Sequence, residues 1–176
     1  MKRLLIGALV GGILLFLWQF LSWSVLGIHS NMQSYSPNQE KVLQSLGENL
    51  EQGFYFMPSL APGQDREELM KTQGGKPWAQ VYYHKAMNVN MGAYMGRGLL
   101  VDIIAILLLA WLLSKIPGID MKDTIIASLS VGIISYLVTV YTFSIWFETH
   151  TLGDLIDSIV SFGLVGVWLG WWLNRK

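Results

Sequence analysis

Gly98-Leu99-Leu100-Val101-Asp102-Ile103-Ile104-Ala105-Ile106-Leu107-Leu108-Leu109-Ala110-Trp111-Leu112-Leu113-Ser114-Lys115-Ile116 is nineteen residues long and carries one charge before its closing Lys115. A helix rises about 1.5 Å per residue, so such a run nearly covers the roughly 30 Å hydrocarbon layer of a membrane. Three more stretches read the same way, at about 4–27, 124–146 and 155–173. The composition agrees: 52% of the 176 residues are hydrophobic and 14% are charged, against roughly 25% charged in a soluble domain. The expected fold class is an all-α membrane protein, with four transmembrane helices and a small extracytoplasmic α+β cap inserted between helices one and two. The expected segments are helix one at 1–28, the cap at 29–97, and helices two to four at 98–176.

Charge placement orients the helices. Lys2 and Arg3 precede the first run, Lys115 and Lys122 flank the second turn, and Arg175 and Lys176 follow the fourth run. The short loop from Phe147 to Asp154 carries Glu148 and Asp154 but no Lys or Arg. By the positive-inside rule both termini lie in the cytoplasm. The intervening segment is balanced, with Glu40, Glu48, Glu51, Asp65, Glu67 and Glu68 against Lys41, Arg66, Lys71, Lys76, Lys85 and Arg97, so it accepts an outside location. The first run is longer than the 7–15 residues of a signal h-region and lacks a small-x-small cleavage site, so it reads as a retained anchor. With no cysteine, disulfides and thiolate metal sites are excluded. A net charge of zero gives no reason to expect a nucleic-acid partner. The expected partners are the lipid bilayer and a larger membrane complex or a second copy of the chain.

Local signals organise the rest. Ser36-Pro37-Asn38-Gln39 predicts a helix start, with Val42, Leu43, Leu46 and Leu50 as its apolar stripe and Gly53 as its stop. Asp65-Arg66-Glu67-Glu68 predicts a second short helix, ending at Gly74-Gly75. Phe54–Met57 and Trp78–Tyr83 are β-prone and bounded by Pro or Gly, which predicts a two-stranded ribbon. Two strands are marginal alone, so the cap is expected to lean on the helices or on another protein. Pro117-Gly118 predicts a tight turn between helices two and three. Gly7-x-x-x-Gly11 and Gly166-x-x-x-Gly170 predict close packing of helices one and four near the cytoplasm. Trp168, Trp171 and Trp172 read as an interfacial belt beside Arg175 and Lys176.

Polar residues gather toward the outer ends of the runs: Gln19, Asp102, Thr139, Thr142, Ser144 and Asp157. An outward-facing crevice is expected, with Gln19, Arg97, Asp102, Glu148 and Asp157 as candidate lining residues. A carboxylate among Leu, Val and Ile faces a bundle interior or a wet cavity. Asp102 therefore reads as a cation or proton site, a pocket wall, or a structural partner of Arg97, Lys85 or a histidine. Asp157 reads as an acid at a helix start, and Gln19 as an interhelical hydrogen bonder. His84, Met87, Met91 and Met95 recur at helical spacing. Imidazole and thioethers suit copper(I), although methionines that fill packing gaps are the preferred reading. No Ser/His/Asp motif, Walker loop, His-Glu-x-x-His or Gly-x-Ser-x-Gly is present, so no catalytic residue and no cofactor is nominated.

Trp18-Gln19-Phe20-Leu21-Ser22-Trp23, Gly75-Lys76-Pro77-Trp78-Ala79, Tyr83-His84-Lys85, Arg97-Gly98-Leu99-Leu100-Val101-Asp102 and Val167-Trp168-Leu169-Gly170-Trp171-Trp172 together resemble small bacterial, Bacteroidetes-like, four-helix inner-membrane proteins with no assigned activity. The resemblance implies a bacterial inner-membrane location and transfers no functional residue. The leading functional expectation is a non-enzymatic ligand-binding or accessory subunit that works through its cap and outer crevice. A small oligomeric transporter or ion-conducting protein with Asp102 lining the path is the rival. An enzyme acting on lipid or quinone is a third class.

Overall fold

The computed structural model describes residues 1–175. They divide into two compact units, Met1–Ser34 with Asn90–Lys176, and Tyr35–Val89.

The first unit holds four helices long and apolar enough to cross a membrane. They are α1 (Lys2–Ser24), α4 (Met91–Leu113), the continuous run of α5 (Met121–Ser135), a π-helical segment (Tyr136–Tyr141) and α6 (Thr142–Phe147), and α7 (Leu152–Asn174). Helix α4 begins seven residues before the apolar run. Asn90, a residue that argues against helix in an interior, caps this one: its side chain accepts the Ala93 N–H at 3.2 Å. The α4–α5 turn contains Gly118 at φ +68°, and Asp120 caps α5 by accepting the Asp123 N–H at 2.8 Å. Glu148 ends α6 in the left-handed region.

The packing order is α4–α1–α7–α5, so α4 and α5 scarcely touch although a short turn joins them. The buried core is Leu15 of α1, Ile106, Leu109, Ala110 and Leu113 of α4, and Val165 and Leu169 of α7. Around it most apolar side chains point outward, among them Leu108, Leu112 and Ile134. A water-soluble bundle would bury these; a bundle in lipid has no reason to.

Small residues set the helix approaches: helices one and four (α1 and α7) pack together as expected, but the glycines of α7 are not what meets α1. Trp172 and Leu169 of α7 lie against Gly7, while Gly11 meets Ile106 of α4 as well as Trp168. Gly166 and Gly170 face Ile125, Ser128 and Met121 of α5, not α1. The physical reason is that the large side chains of α7 fill the α1 side. The Trp168 indole N–H donates to the Gly7 carbonyl at 2.9 Å, and that of Trp172 to Arg3 at 2.7 Å. Two members of the expected aromatic belt are thus helix-to-helix hydrogen bonders.

In the second unit, α2 (Gln39–Asn49) and α3 (Arg66–Gln73) accompany an antiparallel ribbon of β1 (Gly53–Met57) and β2 (Ala79–Tyr83), paired from Gly53 with Tyr83 to Met57 with Ala79. Asp65 caps α3 as predicted, accepting the Glu67 N–H at 2.8 Å. Two local readings are corrected. The cap of α2 is Asn38, after a turn whose Gln39 N–H reaches Ser36 O, and Gly53 opens β1 because α2 has already ended at Asn49. No residue of 35–89 is fully buried. Phe54 stacks on Tyr82 and Phe56 tilts against Trp78 on an exposed face of the ribbon.

Candidate functional site

One end of the helical unit carries the chain from α1 through Val25–Gln33, and this connector end is polar inside. Trp18 and Ser22 are four residues apart on α1, so they share a face. Both reach the same oxygen of Asp157 on α7: the indole N–H donates at 3.0 Å and the hydroxyl at 2.6 Å. The other oxygen of Asp157 is 2.9 Å from Nε2 of His29, whose side chain is 3% exposed. Asp157 is therefore a three-donor hub that ties the connector and α1 to α7.

His29 is held on every side. Its ring stacks on Trp23 with centroids 3.9 Å apart and planes 6° from parallel. Its Nδ1 lies 3.0 Å from the Met32 sulfur, a weak acceptor with no hydrogen to give. Both ring nitrogens face acceptors, and the stronger of the two, the Asp157 carboxylate, takes the Nε2 contact. Gly153 forms the floor: a Cβ there would sit 2.8 Å from Nδ1 and 3.2 Å from the Ile28 carbonyl oxygen.

Beside this hub is an open hollow of about 410 Å³, lined by Leu15, Gln19, Trp23, Val140, Asp154, Asp157, Ser158, Ser161 and Phe162. Its volume lies in the range of small-molecule sites. Asp154, three residues before Asp157 and so on the same face, has a buried Oδ2 with no hydrogen-bond partner. Asp102 on α4 is 6% exposed; its Oδ1 accepts a long 3.4 Å bond from the Gln19 amide and its Oδ2 has no partner. Gln19 thus touches both the hollow and the second carboxylate. Asp154 and Asp157 lie near one imidazole, Gln19 links the hollow to Asp102, and two buried acceptor oxygens have no hydrogen-bond partner. Unpartnered buried oxygens carry their full desolvation cost, so this end of the bundle is built to accept donors.

Of the sequence-nominated residues, the structure gathers Gln19, Asp102 and Asp157. Arg97 and Glu148 are exposed, and neither forms an ion pair among the described residues. Within its unit Asp102 is not paired with Arg97 or a histidine: His29 pairs with Asp157; Lys85 pairs with Glu51 in its own unit. Nor is Asp157 a helix-start acid. Helix α7 begins at Leu152, so Asp154 occupies the first turn and Asp157 lies one turn deeper.

The methionine series is not one helical face. His84 and Met87 lie in the non-helical stretch after β2, whereas Met91 and Met95 are the first and fifth residues of α4. All three methionines are exposed, Met87 by 89%. Among the described residues no group of three or more His, Asp or Glu is arranged to hold a metal.

Sequence reasoning missed Trp18, Ser22, His29, Gly153 and Asp154. The available signal was the stripe Gly11, Leu15, Trp18, Ser22, which repeats at helical period along α1 and turns from small to polar toward the connector. Ser22, His29 and Asp157 are the residue types of a hydrolytic triad, but here the carboxylate is central. A triad places the imidazole between hydroxyl and carboxylate, so these three residues form a clamp and not a proton relay. Comparison with protein-family models, curated proteins and solved structures finds no match for this chain.

Proposed function

We propose that this is a multi-pass protein of a bacterial inner membrane, with both termini cytoplasmic and residues 29–97 outside. In this reading it binds a small cationic ligand, a protonated amine, in the hollow at its outer end and performs no chemistry on it. The unpartnered Oδ2 of Asp154 in the wall of that hollow carries the reading. An ammonium group offers three donors and a positive charge to a site short of both. Asp157 is already occupied by Trp18, Ser22 and His29, so Asp154 is the free anchor.

Thermal unfolding of the full chain in mild detergent tests this with ethylammonium, 2-hydroxyethylammonium and spermidine, each against a neutral analogue of similar size. A ligand at a hundred times its Kd stabilises the folded state by about 2.7 kcal/mol. A saturable rise in Tm with one amine, absent for its neutral analogue and lost in Asp154→Asn, is expected. No saturable rise with any amine overturns the ligand class.

Asp102 favours a second reading, a small oligomeric transporter or ion conductor, because its own Oδ2 is also buried and unpartnered, with Gln19 linking it to the hollow. Cation flux in proteoliposomes that disappears in Asp102→Asn would select that reading. Co-purification with a larger membrane partner at fixed ratio would select an accessory subunit.

A further inference from the structure

The opposite end of the helical unit has a different chemistry. Arg3 of α1 and Arg175, which follows α7, line an open hollow of about 430 Å³ together with Ile6 and Trp172. Arg3 spends its Nε–H on the Trp172 carbonyl at 3.2 Å, which leaves its two terminal amino groups pointing elsewhere. The Arg175 guanidinium lies over the Trp171 ring at 4.5 Å and the Trp172 ring at 5.5 Å. A guanidinium held by its face presents its N–H edge to a ligand. Neither arginine forms an ion pair among the described residues.

From Trp171 a second hollow, about 500 Å³ and almost wholly apolar, runs along α7 to Ile159. Twelve residues of helix rise about 18 Å, close to one leaflet of a roughly 30 Å hydrocarbon layer. Val160, Leu164, Val167 and Trp171 recur at helical spacing, and the Arg175 guanidinium lies over the Trp171 ring, so the cation caps the apolar groove. The pairing of two unneutralised guanidiniums with a leaflet-long groove matches a phosphate headgroup and its acyl chain.

We propose that Arg3 and Arg175 bind the phosphate of an anionic phospholipid whose acyl chain lies in the α7 groove between Trp171 and Ile159. The inference rests on the membrane location proposed above. Planar, bidentate donors suit a phosphate oxygen pair, and basic pockets between helices at a membrane surface select anionic headgroups. The charges alone would accept free phosphate; the groove commits the site to a lipid.

Native mass spectrometry of the full chain, extracted in mild detergent and titrated with phosphatidylglycerol or phosphatidylcholine of matched chains, reads the site directly. A single phosphatidylglycerol adduct is expected, preferred roughly tenfold over phosphatidylcholine. The preference should vanish in the Arg3→Gln, Arg175→Gln double variant and persist in Lys122→Gln, which removes a cation of the α5 start outside the hollow. Inorganic phosphate at tens of millimolar should not displace the adduct.

Equal retention of the two lipids overturns the proposal without reference to any variant. Displacement by phosphate overturns it in favour of a soluble anion. A lipid-free mass of two chains overturns it in favour of a second copy in the groove. Alkaline carbonate extraction separates this failure from that of the underlying reading. Release from membranes would sink the membrane location itself, whereas a retained protein with no lipid preference sinks only the site.

Discussion

At the scale of single residues, the connector end sets tight packing beside unmet acceptors, and the two make opposite predictions. Gly153 is packed so closely under His29 that Gly153→Ala must move the ring off Asp157 or shift the connector. Overpacking of this kind costs about 1–3 kcal/mol, so a clear fall in Tm in detergent is expected. Emission from Trp23 should change too, since its stacking partner moves. An unchanged Tm would mean that the connector is not fixed where the contacts place it. Asp102 behaves the other way. Its Oδ2 has no partner while Oδ1 holds Gln19 at long range. Asp102→Asn keeps an oxygen for Gln19 and removes the formal charge, so Tm should hold or rise, by up to ~2 kcal/mol of stability. A loss larger than 1–2 °C would show that the carboxylate has a partner the free chain conceals. Asp102 was legible from the sequence because a charge inside an apolar run stands out. His29 was not. Its importance comes from Asp157 and Gly153, more than a hundred residues away, and no local pattern reports that proximity.

Among the elements, the four long helices were readable because their apolar runs are long, and the ribbon because Phe54–Met57 and Trp78–Tyr83 alternate between punctuating residues. The neighbour relations were readable only in part. A Gly-x-x-x-Gly pair says that a backbone can come close, but not whose. The tightest approach of a glycine to a neighbouring helix's backbone is at Gly12, outside either motif, where a Cβ would stand 2.7 Å from the Ile103 Cα and 2.8 Å from its nitrogen. Backbone cannot turn aside as a side chain can. Gly12→Ala should therefore separate α1 from α4 and lower Tm by an amount typical of core overpacking, about 1–3 kcal/mol. The control is Gly163→Ala, whose new Cβ meets nothing nearer than Leu129 Cδ2 at 3.6 Å. It should be neutral or slightly stabilising, as alanine favours helix by roughly 1 kcal/mol. Equal effects in the two variants would refute the packing order. The π-helical segment was likewise invisible in sequence. Within it Thr139 bonds back to Ser135 O at 2.6 Å, and just after it Thr142 reaches Leu137 O at 2.8 Å, five residues back. Such widened turns recur at functional sites, and this one places Val140 in the wall of the hollow.

For the whole molecule the decisive quantity is which end faces which side of the membrane, because the amine and lipid proposals assign opposite faces to the two ends. Lys2, Arg3, Lys115, Lys122 and Arg175 belong to the helix ends opposite the connector, whereas Asp154 and Asp157 lie at the connector end. That distribution sets orientation through the cost of moving short basic loops across the bilayer. A chain without cysteine permits a clean measurement. Lys41, exposed on α2, and Pro117, exposed in the α4–α5 turn, are each replaced by cysteine in turn. Neither side chain is buried, so both changes should leave the helices in place, which unchanged Tm would verify. A thiol reagent that cannot cross membranes, applied to spheroplasts, should label the cysteine at 41 and spare the one at 117 until the membrane is permeabilised. Labelling at 117 alone would invert the molecule: the aspartate hollow would then open to the cytoplasm, and the Arg3–Arg175 hollow would meet the outer leaflet. Labelling at both without permeabilisation would mean that the turn is reachable from outside, and the four-crossing arrangement would fail. The expected pattern places the acceptor-rich hollow where an amine arrives from outside, and the arginines against the leaflet that positive side chains select.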